Sequence, residues 1–298
     1  MTTDTVRIYD TSLRDGLRNS GITIGLDDKV RFIQQLERLG VSDIEVGFGG
    51  PSQVETMTRL AEAVTEPVLY GLARVNRRDL DRVLDTLIGA RHPGANIFSP
   101  TSKEFLGYAD KTPAQALAAS VKAVGHAKSR VEHVMFSAQD APRAERAFLN
   151  ELLGAVIEAG ATAISVADTT SLALPGEFGK LCGELRDAAS GGREVIFSVH
   201  CHNGLGLAVA NCAAAIELGA RQVECTLNGI GEGGSNTNMQ AIARLLQRRA
   251  DAFPGLSCAL DMDAFEPTER LLAEIARPTH DASSDVVALL RRRVGGEN

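Results

Sequence analysis

The chain has 298 residues, 44% of them hydrophobic and 23% charged, which supports a sizeable core and fits either one large α/β barrel or two ordinary domains. A formal charge of −7 argues against a nucleic-acid partner, which would select a basic face. No apolar run approaches the ~18 residues of a membrane helix, the start MTTDTVRIYD lacks the basic and apolar parts of a signal peptide, and five scattered cysteines without a CxxC pair read as reduced thiols of a cytoplasmic protein.

Short apolar strands alternate with amphipathic helices along the chain. The strands are expected at 6–9, 43–48, 67–73, 95–98, 133–138, 163–168, 195–202 and 222–227. The helices are expected near 27–39, 52–64, 77–89, 113–128, 144–159, 175–188, 205–218 and 237–249. Thr112-Pro113, Leu174-Pro175 and Asn236 read as helix starts, and Gly40, Gly160 and Gly219 as stops. Eight such units predict a (β/α)8 TIM barrel over residues 1–255, with a short helical extension and tail over 256–298. In that extension a helix is expected from Asp263 and an amphipathic piece at 284–293. A doubly wound open sheet is the alternative, but the first strand runs into DTSLRDG, which is no glycine-rich phosphate turn.

In such a barrel the chemistry gathers at the C-terminal ends of the strands. The seventh strand, VIFSVHCHN, puts His200 and His202 on one face by alternation and Cys201 on the other. Paired imidazoles suit a divalent transition ion, though they could equally hydrogen-bond into loops. Other strand ends offer Arg14 and Asp15, Glu45, Arg74, Ser137 to Asp140, Asp168 to Thr170, and the run Asn228 to Asn236. Buried without partners, so many polar groups would be costly.

DTSLRDG, HCHNGLGLAVAN and NGIGEGGSN together resemble the metal-dependent acyl-transfer barrels, the 2-isopropylmalate, homocitrate and citramalate synthases, with the hydroxymethylglutaryl-CoA lyases as relatives. The resemblance covers roughly residues 6 to 250, and NGIGEGGSN follows the synthases rather than the lyases. It implies a divalent metal (Mg, Mn or Zn) on Asp15, His200, His202 and Asn236, acyl-CoA and 2-oxo acid substrates, and a homodimer. It implies a role for Arg14 beside the reacting keto oxygen and for Thr169 on the substrate carboxylate. Arg74 and Ser137 are further candidates for substrate contacts, and Gln139 and Glu232 for catalysis; Asp10 and Glu45 are expected to orient the metal's neighbours. The plainer readings are an ion pair of Arg14 with Asp10 or Glu45, a strand-end turn at Thr169 and a helix cap at Asn236.

Four departures from the synthases stand out. Gln139 occupies the place of a usual glutamate, which removes acid–base work there unless Asp140 substitutes. Gly204 replaces an aspartate and Gly233 an arginine. The helical region carrying a His-Glu-Ser-Gly-Ile-His-like motif is expected to be missing, leaving His280 as a stand-in. A changed substrate or reaction is therefore expected, rather than leucine synthesis. The competing readings are a C–C lyase or aldolase on the same platform and a non-catalytic descendant.

Overall fold

The computed structural model describes residues 4–189, 191, 193–231 and 236–279. In chain order it runs β1 (Asp4–Asp10), a π-helical turn (Ser12–Gly16), β2 (Ile22–Thr23), α1 (Leu26–Leu39), β3 (Asp43–Phe48), α2 (Val54–Ala61), β4 (Val68–Arg74), α3 (Arg77–Leu87), β5 (Pro93–Pro100), α4 (Lys103–Tyr108) and α5 (Pro113–Lys128). It continues with β6 (His133–Gln139), α6 (Arg146–Glu158), β7 (Ala163–Asp168), α7 (Pro175–Ala189), β8 (Ile196–Cys201), α8 (Ala208–Glu217), β9 (Gln222–Cys225), α9 (Met239–Arg248), β10 (Leu256–Cys258), α10 (Phe265–Ile275) and β11 (Arg277–Pro278).

Strands β3 to β9 pair in parallel in sequence order, and β1 pairs with both β3 and β9. The sheet therefore closes into an eight-stranded TIM barrel, and the open-sheet alternative is excluded. Alternation along β8 shows how the layers divide. Phe197, Val199 and Cys201 join the apolar core shared with the helices, whereas Ser198 and His200 reach Glu224 on the neighbouring strand. At the opposite end of the barrel Tyr9, Val68, Tyr70, Met135 and Ala163 form a separate apolar cluster.

Helix boundaries follow local chemistry. Thr112 and Gln115 form a reciprocal capping box ahead of Pro113, and α1 stops at Gly40 in the left-handed region at φ 88°. Asn236 is not a helix cap: α9 begins later, and Asn238 accepts from the Ala241 amide there. The first stretch of the expected C-terminal extension adds onto the barrel. β10 pairs in parallel with Asp4, Thr5 and Val6 of β1, and α10 reaches α1 through Arg31–Glu274 and Gln35–Thr268. The amphipathic piece at 284–293, His280, Glu232 and Gly233 lie outside the described residues.

Candidate metal centre

The turn after β1 is held from three directions before it presents a functional group. Asp10 accepts from the Ser12 amide and hydroxyl at 3.0 and 2.6 Å. The Ser12 hydroxyl accepts in turn from the Leu227 amide at 2.9 Å, and Thr11 caps the turn at the Asp15 amide. Gly16 lets the turn approach Ile230 closely: a Cβ there would sit 3.0 Å from the Ile230 side chain, which would have to give way. A π-helical turn in such a place opens one side-chain direction that an α-helix would close, and here it aims Arg14 and Asp15 into the barrel mouth. Asp10 is therefore a partner of the turn. Glu45 is the group that orients Arg14, and it accepts from Tyr9, Thr11, Arg14 and Asn96.

Three donors converge at the mouth. The Nε2 atoms of His200 and His202 lie 3.1 Å apart. Oδ2 of Asp15 lies 3.8 Å from the first and 3.7 Å from the second. Donors bound to one ion at ~2.1 Å are separated by roughly 3.0 Å in an octahedral shell and 3.4 Å in a tetrahedral one, so the triad has the spacing of a ligand set. His200 is fixed by Glu224, which sits 3.1 Å from its Nδ1. That contact holds the proton on Nδ1 and leaves the Nε2 lone pair toward Asp15 and His202.

Electrostatics point the same way. Around the mouth three carboxyl groups, Asp15, Glu45 and Glu224, outnumber two guanidinium groups, Arg14 in contact with Asp15 and Glu45 and Arg18 at the exposed rim. Burial pulls the Asp15 carboxyl up, but Arg14, His200 and His202 outweigh it and hold it well below the usual carboxylate range. Burial lowers His200, and Glu224 and Asp15 more than reverse this, so a proton is drawn to the surplus negative charge. Burial, with His200 facing it, pushes His202 down to about 4, leaving it neutral at pH 7. A divalent cation would meet that surplus negative charge and separate the two facing nitrogens; the donor set fits the ion that the motif implies.

Asn236 is brought beside this triad by an antiparallel bridge to His202. Its amide nitrogen donates to the Ile230 carbonyl at 3.0 Å, which leaves the oxygen as the end available for a ligand. Ser137, Gln139 and Thr169 line the same cleft as Arg14 and the triad, with Leu72, Phe98 and Ala167 as its apolar wall. The Ser137 hydroxyl donates to Asn96 at 2.8 Å, and the Thr169 hydroxyl accepts from the Asp140 amide at 3.0 Å. Arg74 is not among these residues. It is held by Asp79 at 2.5 Å, lies over the Phe48 ring and faces a neighbouring pocket. Asp140 does not stand in for the missing glutamate either. It is fully buried, with Arg143 at 3.1 and 2.5 Å and Thr170 at 3.1 Å on its carboxylate.

A model of the HMGL-like family matches residues 5–272. The chain belongs to the HMGL-like family. It is 40% identical over 273 residues to the 2-isopropylmalate synthase of Lysinibacillus sphaericus, and 41% identical over 273 residues to that of Nitratidesulfovibrio vulgaris. Each alignment covers 91% of this chain and 53% of the relative, so the chain spans about half the length of these curated proteins. The fold is shared with the hydroxymethylglutaryl-CoA lyase of Pseudomonas aeruginosa at a TM-score of 0.76 and 20% identity, covering 98% of this chain and 100% of that one.

Within this HMGL-like chain, Glu224 is the site residue that sequence reasoning overlooked. Its signal was a carboxylate in the apolar run QVECTL, on the inward parity beside His200 in register. Arg18 was overlooked as well; it stands exposed at the cleft mouth, near Asp15 and His202. Gly204 has a structural reason: a Cβ there would meet Ser171 Oγ at 3.1 Å and Cβ at 3.2 Å, so a larger side chain requires Ser171 to move.

Proposed function

We propose that this chain is a Claisen-type acyltransferase that joins an acyl-CoA, with acetyl-CoA as the first candidate, to a 2-oxo acid and releases a 2-alkylmalate-like product. The observation that carries the reading is the Asp15–His200–His202 cluster beside Arg14, set in the mouth of a barrel about 40% identical to 2-isopropylmalate synthases. In this reading Asp15, His200, His202 and Asn236 hold a divalent cation, whether Mg, Mn or Zn, whose Lewis acidity polarises the keto group when bound.

The chain's own groups then divide the work. Thr169 binds the substrate carboxylate, and Ser137 borders the acid's side chain against Leu72, Phe98 and Ala167. Arg14 donates to the keto oxygen as it gains charge, held in place by Glu45. The acyl methyl loses a proton to a base, and its carbon bonds to the keto carbon. The resulting alkoxide takes up a proton, and water cleaves the thioester to free the thiol. Gln139 can hydrogen-bond the thioester but cannot accept the methyl proton. Glu232, four residues before Asn236 in the sequence, is the remaining catalytic candidate.

Support for a cytoplasmic homodimer comes from the kinship with the synthases. Among the described residues no helix is long and apolar enough to cross a membrane. The test is thiol release from acetyl-CoA with a panel of 2-oxo acids and each metal. Release with at least one acid supports the reading. No release with any acid, with cleavage of a 2-hydroxy acid or its CoA ester instead, assigns the site to the lyases.

A further inference from the structure

Asn211, in the first turn of α8, is buried and reaches back to the segment that follows β7. Its amide nitrogen donates to the Ala173 carbonyl at 3.0 Å and to Oδ2 of Asp168 at 3.4 Å. Its Oδ1 is buried with no hydrogen-bond partner. A bare buried acceptor costs stability, so what the amide contributes here comes from its nitrogen. The segment it holds is built around the fully buried Asp168, the last residue of β7. Oδ1 accepts from the Leu172 amide at 3.2 Å, and Oδ2 from the Ala173 amide at 3.3 Å. The Asp168 carbonyl accepts from the amides of Ser171 and His202, each at 3.3 Å. Ser171 closes this turn in the left-handed region at φ 58°, a conformation that a residue with a Cβ adopts only where its surroundings impose it. Thr169 lies inside the turn. Its hydroxyl oxygen is engaged by the Asp140 amide, so its proton is the part that can serve a ligand in the cleft.

Resting on the acyltransferase reading, in which Thr169 binds the carboxylate of the 2-oxo acid, we infer that Asn211 is the positioning residue for Thr169. One amide on the outer helix ties the residue before Thr169 to the far end of its turn, and so sets where the Thr169 hydroxyl stands. Asn211 itself does not line the cleft; it acts through the turn. Its influence falls on the acid rather than on the metal. Asp15 and His200 are oriented by Arg14 and Glu224, and the Asp168 carbonyl that accepts from His202 belongs to β7, where pairing with β8 fixes it independently of Asn211. Affinity for the acid therefore depends on a residue of the helix layer.

The test is calorimetric binding of pyruvate, 2-oxoisovalerate and 2-oxoglutarate to the full chain loaded with Mn²⁺, without acyl donor. Asn211→Ala removes the amide and adds no bulk, and Asn211→Leu fills its place with an apolar group of the same branching, so agreement between the two separates hydrogen bonding from packing. In both, affinity for the acids that the wild type binds should fall roughly tenfold, one hydrogen bond's worth, while Mn²⁺ affinity measured without acid stays within twofold. Thr169→Val should show a loss of similar size, and adding either Asn211 variant to it should weaken binding no further, because the two act through one hydroxyl. A merely structural residue would lower Tm and add its loss in full to that of Thr169→Val. The inference is overturned if the wild type binds none of the acids, if both Asn211 variants bind them as the wild type does, or if the losses are fully additive. Thiol release from acetyl-CoA with an unaltered acid KM in both variants removes the inference and keeps the function. Acid binding with the expected pattern, but no thiol release with any acid, removes the function and keeps the inference.

Discussion

Replacing Glu224 by glutamine isolates the charge that sets His200. The carboxylate is buried and accepts from Ser165, from Ser198 at 3.3 Å and from His200 Nδ1 at 3.1 Å. Glutamine has nearly the same shape. Its oxygen can still accept from Nδ1, and its amide can donate to the two serine oxygens, so packing survives while the two serine protons turn to other acceptors, and Tm should fall only modestly. What disappears is the negative charge that makes His200 a stronger donor and fixes its tautomer. Losing such a partner typically costs 10–100-fold in metal affinity, about 1.4–2.7 kcal/mol. Alanine at the same place is a different experiment, because it strands three buried polar groups at ~1–3 kcal/mol each and should destabilise the barrel itself. The assay is titration of Mn²⁺ or Zn²⁺ into metal-stripped Glu224→Gln at pH 7.5, with thermal melting alongside. Affinity within twofold of wild type would refute the claim that Glu224 acts on the metal through His200, and would reduce it to a packing residue.

Three further outcomes are expected. His202→Ala should abolish metal retention, since only Asp15 and His200 remain of the triad; full occupancy by elemental analysis contradicts the assignment. Gln139→Glu restores a titratable group to the cleft and should raise the rate of thiol release if proton abstraction limits turnover; an unchanged or lower rate counts against a base at that position. Burial lifts Asp10 to about 7 from an unfolded value of 3.8, so its stabilising contribution is complete below 3.8 and lost as pH rises through about 7. Between pH 5 and 8.5 this is at most about 3 kcal/mol, and Asp10→Asn should melt with a smaller drop across that interval; equal drops in both proteins would show that Asp10 is ionised throughout.

The barrel was legible because each unit repeats the same two periods, and the expected spans of β3, β7 and α5 coincide with those observed. Strand ends were read less well. The pattern at 195–202 and 222–227 stays apolar or alternating past Cys201 and Cys225, where the chain has already left the sheet to place His202 and to begin the loop toward Asn236. The π-helical turn and α4 were invisible to a reading based on periodicity, since five and six residues are too few to show a period. Within the site, alternation paired His200 with His202, but it could not rank Glu224 above other acidic residues, because nothing in QVECTL records which strand lies beside it. Arg74 misled for a related reason. A strand end points the chain at the mouth, but Asp79, placed by the Asn76 cap of α3, captures the guanidinium first.

The substitution at Gln139 matters because the described carboxylates near it are already committed. Asp15 is shared between Arg14 and the imidazoles, Glu224 between His200 and two serines, and Glu45 among four donors. Asp140 sits one residue too late: it lies past the end of β6 in the left-handed region, at φ 62°, and its carboxylate meets Arg143 and Thr170. A glutamate at 139 would be a carboxylate of the described cleft that is not already held by Arg14 or the imidazoles, and so the one able to accept a proton from carbon. Its replacement by an amide leaves intact the groups that would bind a metal and polarise a ketone, while removing the described group best placed to make the carbon nucleophile. Two kinds of reaction remain compatible with that division. In one, Glu232 supplies the base; in the other, the bond-making partner arrives with its proton already removable by solvent. Thiol release measured across pH in the wild type and in Gln139→Glu separates them: a new acidic limb in the variant alone places the base at 139, and an identical profile in both places it elsewhere.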